Sequence, residues 1–224
     1  MAKPASPGKV APGFPPGRAS TKELDTRAMD LRFSPLEAVS HRLVAASAAD
    51  HASVAELPFT TQIGLRGDAS KAAFANAVKS AVGVAPPKEA CTVAVKGDNR
   101  ILWLGPDEWL VVAPDDPDGA LLARLEKALA KVSAAAVDLT GNRSVIELSG
   151  PSARAVLEKG CRHDLHPKTF PVGRVVGTLM AHTQFFLEKT SDNPETFRLY
   201  VRSSFARHMA EWLMDAMAEF TGRV

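Results

Sequence analysis

Cys161, His163 and His166 stand in the run GCRHDLHP with the spacing C-x-H-x-x-H, and thiolate and imidazole are ligands that zinc prefers. Asp164 or the more distant His182 would have to supply a fourth ligand. The C-x-x-C spacing that marks a dependable zinc site is absent. Gly160, just ahead, is a helix-stop residue, after which polar and cationic side chains ordinarily answer free carbonyls. The expectation is a helix-ending loop, with no residue assigned to metal. Neither G-x-G-x-x-G nor G-x-x-x-x-G-K-[ST] occurs, so no dinucleotide turn or phosphate loop can be placed. Ser149-Gly150 follows a strand but lacks the G-x-S-x-G of a nucleophile elbow. Catalytic and cofactor-binding residues are therefore expected to be none.

Trp103 and Trp109 flank the turn Leu104-Gly105-Pro106-Asp107-Glu108. Indoles so placed either cover the edge of a core or anchor a protein interface, and core packing is the expectation. Cys91, in the apolar run CTVAV, reads as a buried inert thiol. Two cysteines are too few for a disulfide framework and fit a reducing cytoplasm. The balance of 27 basic against 25 acidic residues gives +2, without the basic face that nucleic-acid binding needs. No run approaches the roughly 20 apolar residues of a membrane span, and the N-terminus lacks the pattern of a secretory signal. The expected location is the cytoplasm.

The elements that must position these residues repeat a plan. Alternating strands at Thr61 to Leu65 and Arg143 to Leu148 each run into a Gly turn and then a helix, and Gly150 follows Gly67 by 83 residues. Such an offset is the size of a small α+β unit. The first turn leads to strands at Thr92 to Val95, Ile101 to Leu104 and Glu108 to Val112 and a helix near Asp118 to Val132. The second leads to Val175 to His182, Phe185 to Lys189 and Phe197 to Val201, with a hairpin tip at Ser191 to Pro194 and a helix near Phe205 to Phe220. The predicted class is α+β, with two pseudo-repeated β-α-β-β-α, ferredoxin-like halves over about 57–132 and 137–221, joined through Ser133 to Val137. In the last helix Phe205, Met209, Trp212, Leu213, Ala216, Met217 and Phe220 form one apolar face.

A domain is expected over 34–224. Ser34-Pro35-Leu36-Glu37 has capping-box spacing and starts a short helix toward Ala46. Residues 1–33 read as a Pro-rich extended tail, with five prolines in the first 16 positions. Val10, Phe14, Leu31 and Phe33 would be its anchors if it ordered against a partner.

From Ser34 onward the chain resembles the gamma subunits of bacterial heterotetrameric sarcosine oxidases. The phrases that carry the resemblance are SPLEAV, LGPDEWLVVAP, VDLTGNRSVIELSGPSARAVLEKGCRHDL, FPVGRVVGTLMAHTQFFLEK and FRLYVRSSFARHMAEWLMDA. More distantly it resembles the folate-binding aminomethyltransferases of the glycine cleavage system, through Asp138-Leu139-Thr140, Ser149-Gly150-Pro151-Ser152-Ala153 and Gly173-Arg174-Val175. In that family a Gly-Gly-x-x-Asp-Asp hairpin carries the folate-contacting acid. Here the hairpin reads Ala181-His182-Thr183-Gln184-Phe185-Phe186-Leu187-Glu188-Lys189, and Phe185 and Phe186 add bulk where the acid stood.

The resemblance implies a non-catalytic assembly subunit of a flavin-dependent sarcosine oxidase. Such a complex oxidatively demethylates sarcosine to glycine and transfers the one-carbon unit to tetrahydrofolate. FAD, FMN, NAD and tetrahydrofolate would sit on the partners, which are larger flavin- and folate-binding subunits and a small subunit, with no nucleic acid and no membrane. The alternative is a stand-alone folate-dependent aminomethyltransferase-like or folate-binding regulatory protein.

Overall fold

Short apolar runs bounded by Gly, Pro and Asp make strands the main elements of the chain. The structure, a computed structural model, describes residues 32–220 and Gly222. Residues 1–31, and so nearly all of the expected Pro-rich tail, lie outside the described residues. A 3-10 turn at Glu37–Val39 opens into α1 (Ser40–Ala46). The strands β1 (Ser53–Glu56) and β2 (Thr61–Arg66) and the helix α2 (Ala72–Val82) follow. Next come β3 (Val93–Lys96), β4 (Asn99–Gly105), β5 (Glu108–Ala113), α3 (Ala120–Leu129) and β6 (Ala135–Asp138). Then β7 (Arg143–Ser149) and α4 (Ala153–Glu158) lead to β8 (Val175–Met180), β9 (Thr183–Asp192), β10 (Glu195–Arg202) and α5 (Ser203–Met217). No helix among the described residues is long and apolar enough to cross a membrane.

The fold is α+β, with two five-stranded antiparallel sheets in the orders β3-β4-β5-β2-β6 and β1-β7-β10-β9-β8. Strand alternation divides each sheet between two cores. On one face of the first sheet Ile63, Ile101, Trp109 and Val111 pack with Phe74, Val78 and Leu125 of α2 and α3. On its other face Leu102, Leu110 and Val112 meet Val145, Val175 and Tyr200 of the second sheet. The second sheet turns Ile146, Leu148, Leu187 and Leu199 toward helices that include α4 and α5. Helices therefore cover the outside of two sheets packed face to face. Strands buried on both faces read as continuous apolar runs, which is why Trp109 to Ala113 shows no alternation.

Two strands escape the sequence pattern. Ser53–Glu56 is too short to show a period, and Ala135–Asp138 falls in the segment expected only to join the halves. Both are edge strands that cross over: β1 precedes the first sheet yet completes the second, and β6 precedes β7 yet completes the first. Leu148 thus faces Val54 and Phe197, as Leu65 faces Ala136 and Trp109. Because each sheet borrows its edge, the two should unfold together. Trp103 and Trp109 report on the first sheet and Trp212 of α5 on the second. Urea midpoints followed by fluorescence in Trp212→Phe and in a Trp103→Phe/Trp109→Phe variant, each corrected for its own calorimetric stability, are expected to coincide. Separated midpoints would mean independent halves.

Other expectations are corrected by local geometry. No capping box forms, because the Ser34 hydroxyl accepts from the Leu36 amide at 3.0 Å and donates to the Glu56 carboxylate. In α5 the inward face is Ala206, Met209, Ala210, Leu213, Ala216 and Met217, while Phe205 is 47% exposed. Cys91 is half-buried, at φ +60° in the turn before β3, and is no part of a strand. β8 ends at Met180, two residues before the expected limit, because Ala181 and His182 turn at φ +49° and +60°. A two-residue hairpin with both φ positive matches strand twist but usually carries Gly or Asn, so AH gives little warning of it.

Candidate functional site

The loop after α4 separates its three candidate metal ligands. Cys161 Sγ lies 4.0 Å from Thr178 Oγ1, and burial pushes the thiol pKa up. His163 packs edge-on against Phe170, with ring centroids 5.2 Å apart. Asp164 accepts from the His166 amide at 2.9 Å, and that bond first, then the Thr169 hydroxyl, holds its carboxyl below the ordinary value. His166 Nδ1 accepts from the Lys168 amide at 3.3 Å. These contacts shape a turn, and among the described residues no group of three or more His, Cys, Asp or Glu side chains is placed to hold a metal.

Both indoles belong to the first sheet. Trp109 is buried beside Phe74, centroids 5.5 Å apart, and donates through Nε1 to the Pro87 carbonyl at 2.9 Å. Trp103 sits opposite it in register and packs at the margin of the same core.

The β8–β9 hairpin is more informative. Neighbouring residues of a strand face opposite ways, so Phe185 enters the core beneath the helices while Phe186 lies against the core between the sheets. The expectation that both rings fill one place is corrected accordingly. The hairpin tip is tied down by His208, whose Nε2 lies 3.0 Å from the Ala181 carbonyl oxygen.

Further along the strand, Glu188 is buried between the sheets. Its Oε1 takes Arg100 Nη1 at 2.5 Å, and its Oε2 takes the Tyr200 hydroxyl at 2.6 Å. Burial first, then the charge and hydrogen bond of Glu188, raise the Tyr200 pKa well above its usual value, so the phenol stays a donor. Lys189, one residue on, faces the other way, to Glu195 at 2.9 Å and Asp192 at 2.6 Å. A Glu-Lys pair inside an apolar strand is the one sequence signal that marked these buried ions, but the partners Arg100 and Tyr200 follow only from the sheet packing.

Where the inner face of the second sheet is left uncovered, a cleft of about 450 Å³ opens. Arg143, Arg162 and Arg202 line it with Tyr200, Gln184 and Phe186. Arg143 and Arg202 are direct cross-strand partners on β7 and β10, and the Arg143 guanidinium lies 5.4 Å from the centre of the Phe186 ring. Gly177 keeps the floor open: a Cβ there would stand 3.3 Å from Phe186 Cε1. A hollow of about 300 Å³ beside the tip shares Arg162 and Leu179 with the cleft. The sequence offers no sign of the arginine cluster, because its members are scattered and meet only through strand register and the loop after α4.

Comparisons with known proteins place this body. Its fold is shared with aminomethyltransferase T of the glycine cleavage system from Bartonella henselae, at a TM-score of 0.59 and 17% identity over 77% of this chain and 48% of that one. Within that fold the chain belongs to the sarcosine oxidase gamma subunit family, whose signature it matches over residues 66–219. The gamma subunit of sarcosine oxidase from Corynebacterium sp. (strain P-1) is 39% identical over 192 residues, covering 85% of this chain and 92% of the relative. That of Arthrobacter sp. is 38% identical over 191 residues, with the same coverage. A chain of the heterotetrameric sarcosine oxidase from Corynebacterium sp. U-96, solved in complex with pyrrole 2-carboxylate, superposes at a TM-score of 0.79 with 39% identity, over 85% of this chain and 97% of that one.

Proposed function

We propose that this chain is a non-catalytic assembly subunit of a heterotetrameric, flavin-dependent sarcosine oxidase. The complex demethylates sarcosine oxidatively to glycine and passes the one-carbon unit to tetrahydrofolate. The observation that carries the reading is the state of Glu188, the only acid on the hairpin between Ala181 and Lys189. Both of its oxygens are taken, by Arg100 and by Tyr200, so it is an element of the core and not an acceptor for a ligand. The alternative, a stand-alone folate-dependent aminomethyltransferase-like or folate-binding regulatory protein, needs a free carboxylate at that place.

FAD, FMN, NAD and tetrahydrofolate are accordingly assigned to the partners, which are the larger flavin- and folate-binding subunits and a small subunit. The domain runs over 34–224 after a tail of 1–33, and its halves, about 57–132 and 137–221, are pseudo-equivalent. The matching strand orders of the two sheets support that equivalence. Unpaired Cys91 and Cys161 support a cytoplasmic location.

The full chain purified alone is expected to be colourless and to form no peroxide with sarcosine, and to be retained by the flavoprotein subunits on co-expression. Absorbance and a peroxide assay check the first, affinity capture the second. A stoichiometric flavin spectrum in the isolated chain would overturn the proposal.

A further inference from the structure

Other arginines on or beside the two sheets are paired with carboxylates: Arg66 with Glu108, Arg100 with Glu188, Arg154 with Glu195, Arg174 with Glu89 and Arg198 with Glu147. Arg143, Arg162 and Arg202 have no such partner among the described residues, and all three line one cleft that no carboxylate lines. Arg143 Nη1 is buried without a hydrogen-bond partner among those residues. Glu108, whose charge also acts on Arg143, is already engaged by Arg66 at 2.8 Å, and Glu188 by Arg100 and Tyr200.

Such an arrangement is unfavourable on its own. Like charges directly opposite on paired strands repel, and a guanidinium withdrawn from water without a partner loses hydration it does not regain. The Arg143 pKa is lowered, by burial first and by the Arg202 charge second. A bound oxyanion removes both penalties, because guanidinium forks match carboxylate and phosphate oxygens in bidentate geometry. The volume of about 450 Å³ lies within the range of small-molecule pockets.

We propose that the cleft formed by Arg143, Arg162 and Arg202 is a binding site for a small multivalent oxyanion, a compound with two or more carboxylate or phosphate groups. The assignment goes beyond the oxidase reading and does not depend on it. The ligand's charged groups bridge the Arg143–Arg202 pair and Arg162, and its carbon skeleton rests on Phe186 and Leu179.

Citrate and inorganic pyrophosphate are the probes, titrated calorimetrically into the full chain at constant ionic strength, with acetate as the monovalent control. Citrate or pyrophosphate is expected to bind and to raise the melting temperature, and acetate to do neither. Arg143→Gln and Arg202→Gln should each weaken binding at least tenfold, whereas Arg124→Gln, at an exposed position of α3, should leave it unchanged. Without ligand, Arg143→Gln should melt above the parent chain, since it relieves a repulsion. If it fails to fold, the exposed Arg202→Gln decides the matter alone. Binding that is absent, or equal in the parent and in Arg202→Gln, overturns the proposal. So does binding lost on assembly into the complex, which would give the cleft to carboxylates of another subunit.

Discussion

Glu188→Ala should destabilise the chain by about 3–5 kcal/mol, the range for breaking a buried ion pair by removing one partner. The Glu188 side chain is 1% exposed and that of Arg100 17%, so the guanidinium left behind keeps only slight access to water. The Tyr200 hydroxyl, fully buried, loses its acceptor as well. Most of the loss comes from these orphaned groups and not from the bond itself, so removing all three should restore much of it. A Glu188→Leu/Arg100→Met/Tyr200→Phe variant is therefore expected to recover a large part of the stability in urea titrations. Lack of recovery would locate the effect elsewhere. Tyr200 adds a dependence on pH. A group whose value is raised on folding contributes stability that is whole below its unfolded value, about 10 for tyrosine, and is lost as the pH climbs from there through the folded value. The parent chain should weaken progressively above about pH 10, and Tyr200→Phe should lack that part of the alkaline slope.

What the sequence discloses divides along the same physical line. Elements written in local chemistry are legible in it: the glycine turns at Gly67 and Gly150, the helix-ending loop at Gly160, the hairpin tip before Glu195 and the amphipathic last helix all lie within a residue or two of the structure. The α+β class follows from them. Features created by pairing over long separations are not legible. The crossing of β1 and β6 depends on which edge each reaches, and four residues such as SVAE carry no signal for that. The arginine cleft is a product of register, with Arg143 brought opposite Arg202 from across the β8–β9 hairpin. Phe185 and Phe186 look like one bulky block in sequence and are divided between two cores by strand alternation. The hairpin is legible in its losses, the glycines and paired acids of the aminomethyltransferases, but not in what Glu188 does instead.

The two glycine turns also separate what looks equal in sequence from what is equal in energy. Gly150→Ala is expected to destabilise by about 3 kcal/mol or more, since two penalties add. Gly150 stands at φ +120°, where an L-residue is strained by about 1–3 kcal/mol. A Cβ there would lie 2.6 Å from the His51 carbonyl oxygen and 3.1 Å from Ala52 Cα, and neither can withdraw easily. That carbonyl accepts the Ser152 amide at 2.9 Å, Ala52 is fully buried, and the Gly150 amide is itself bonded to the Glu195 carbonyl at 2.9 Å. Overpacking of this kind adds about 1–3 kcal/mol. Gly67 takes the same place in the first half but keeps an ordinary φ, so Gly67→Ala meets only a steric obstacle. Its Cβ would overlap the Phe74 ring edge, which is a side chain and can shift against Trp109, so a loss of about 1–3 kcal/mol is expected. Urea denaturation of the two variants should therefore rank Gly150→Ala as the more damaging. The reverse order would show that packing against Phe74, and not the handedness of the backbone, sets the requirement for glycine at these turns.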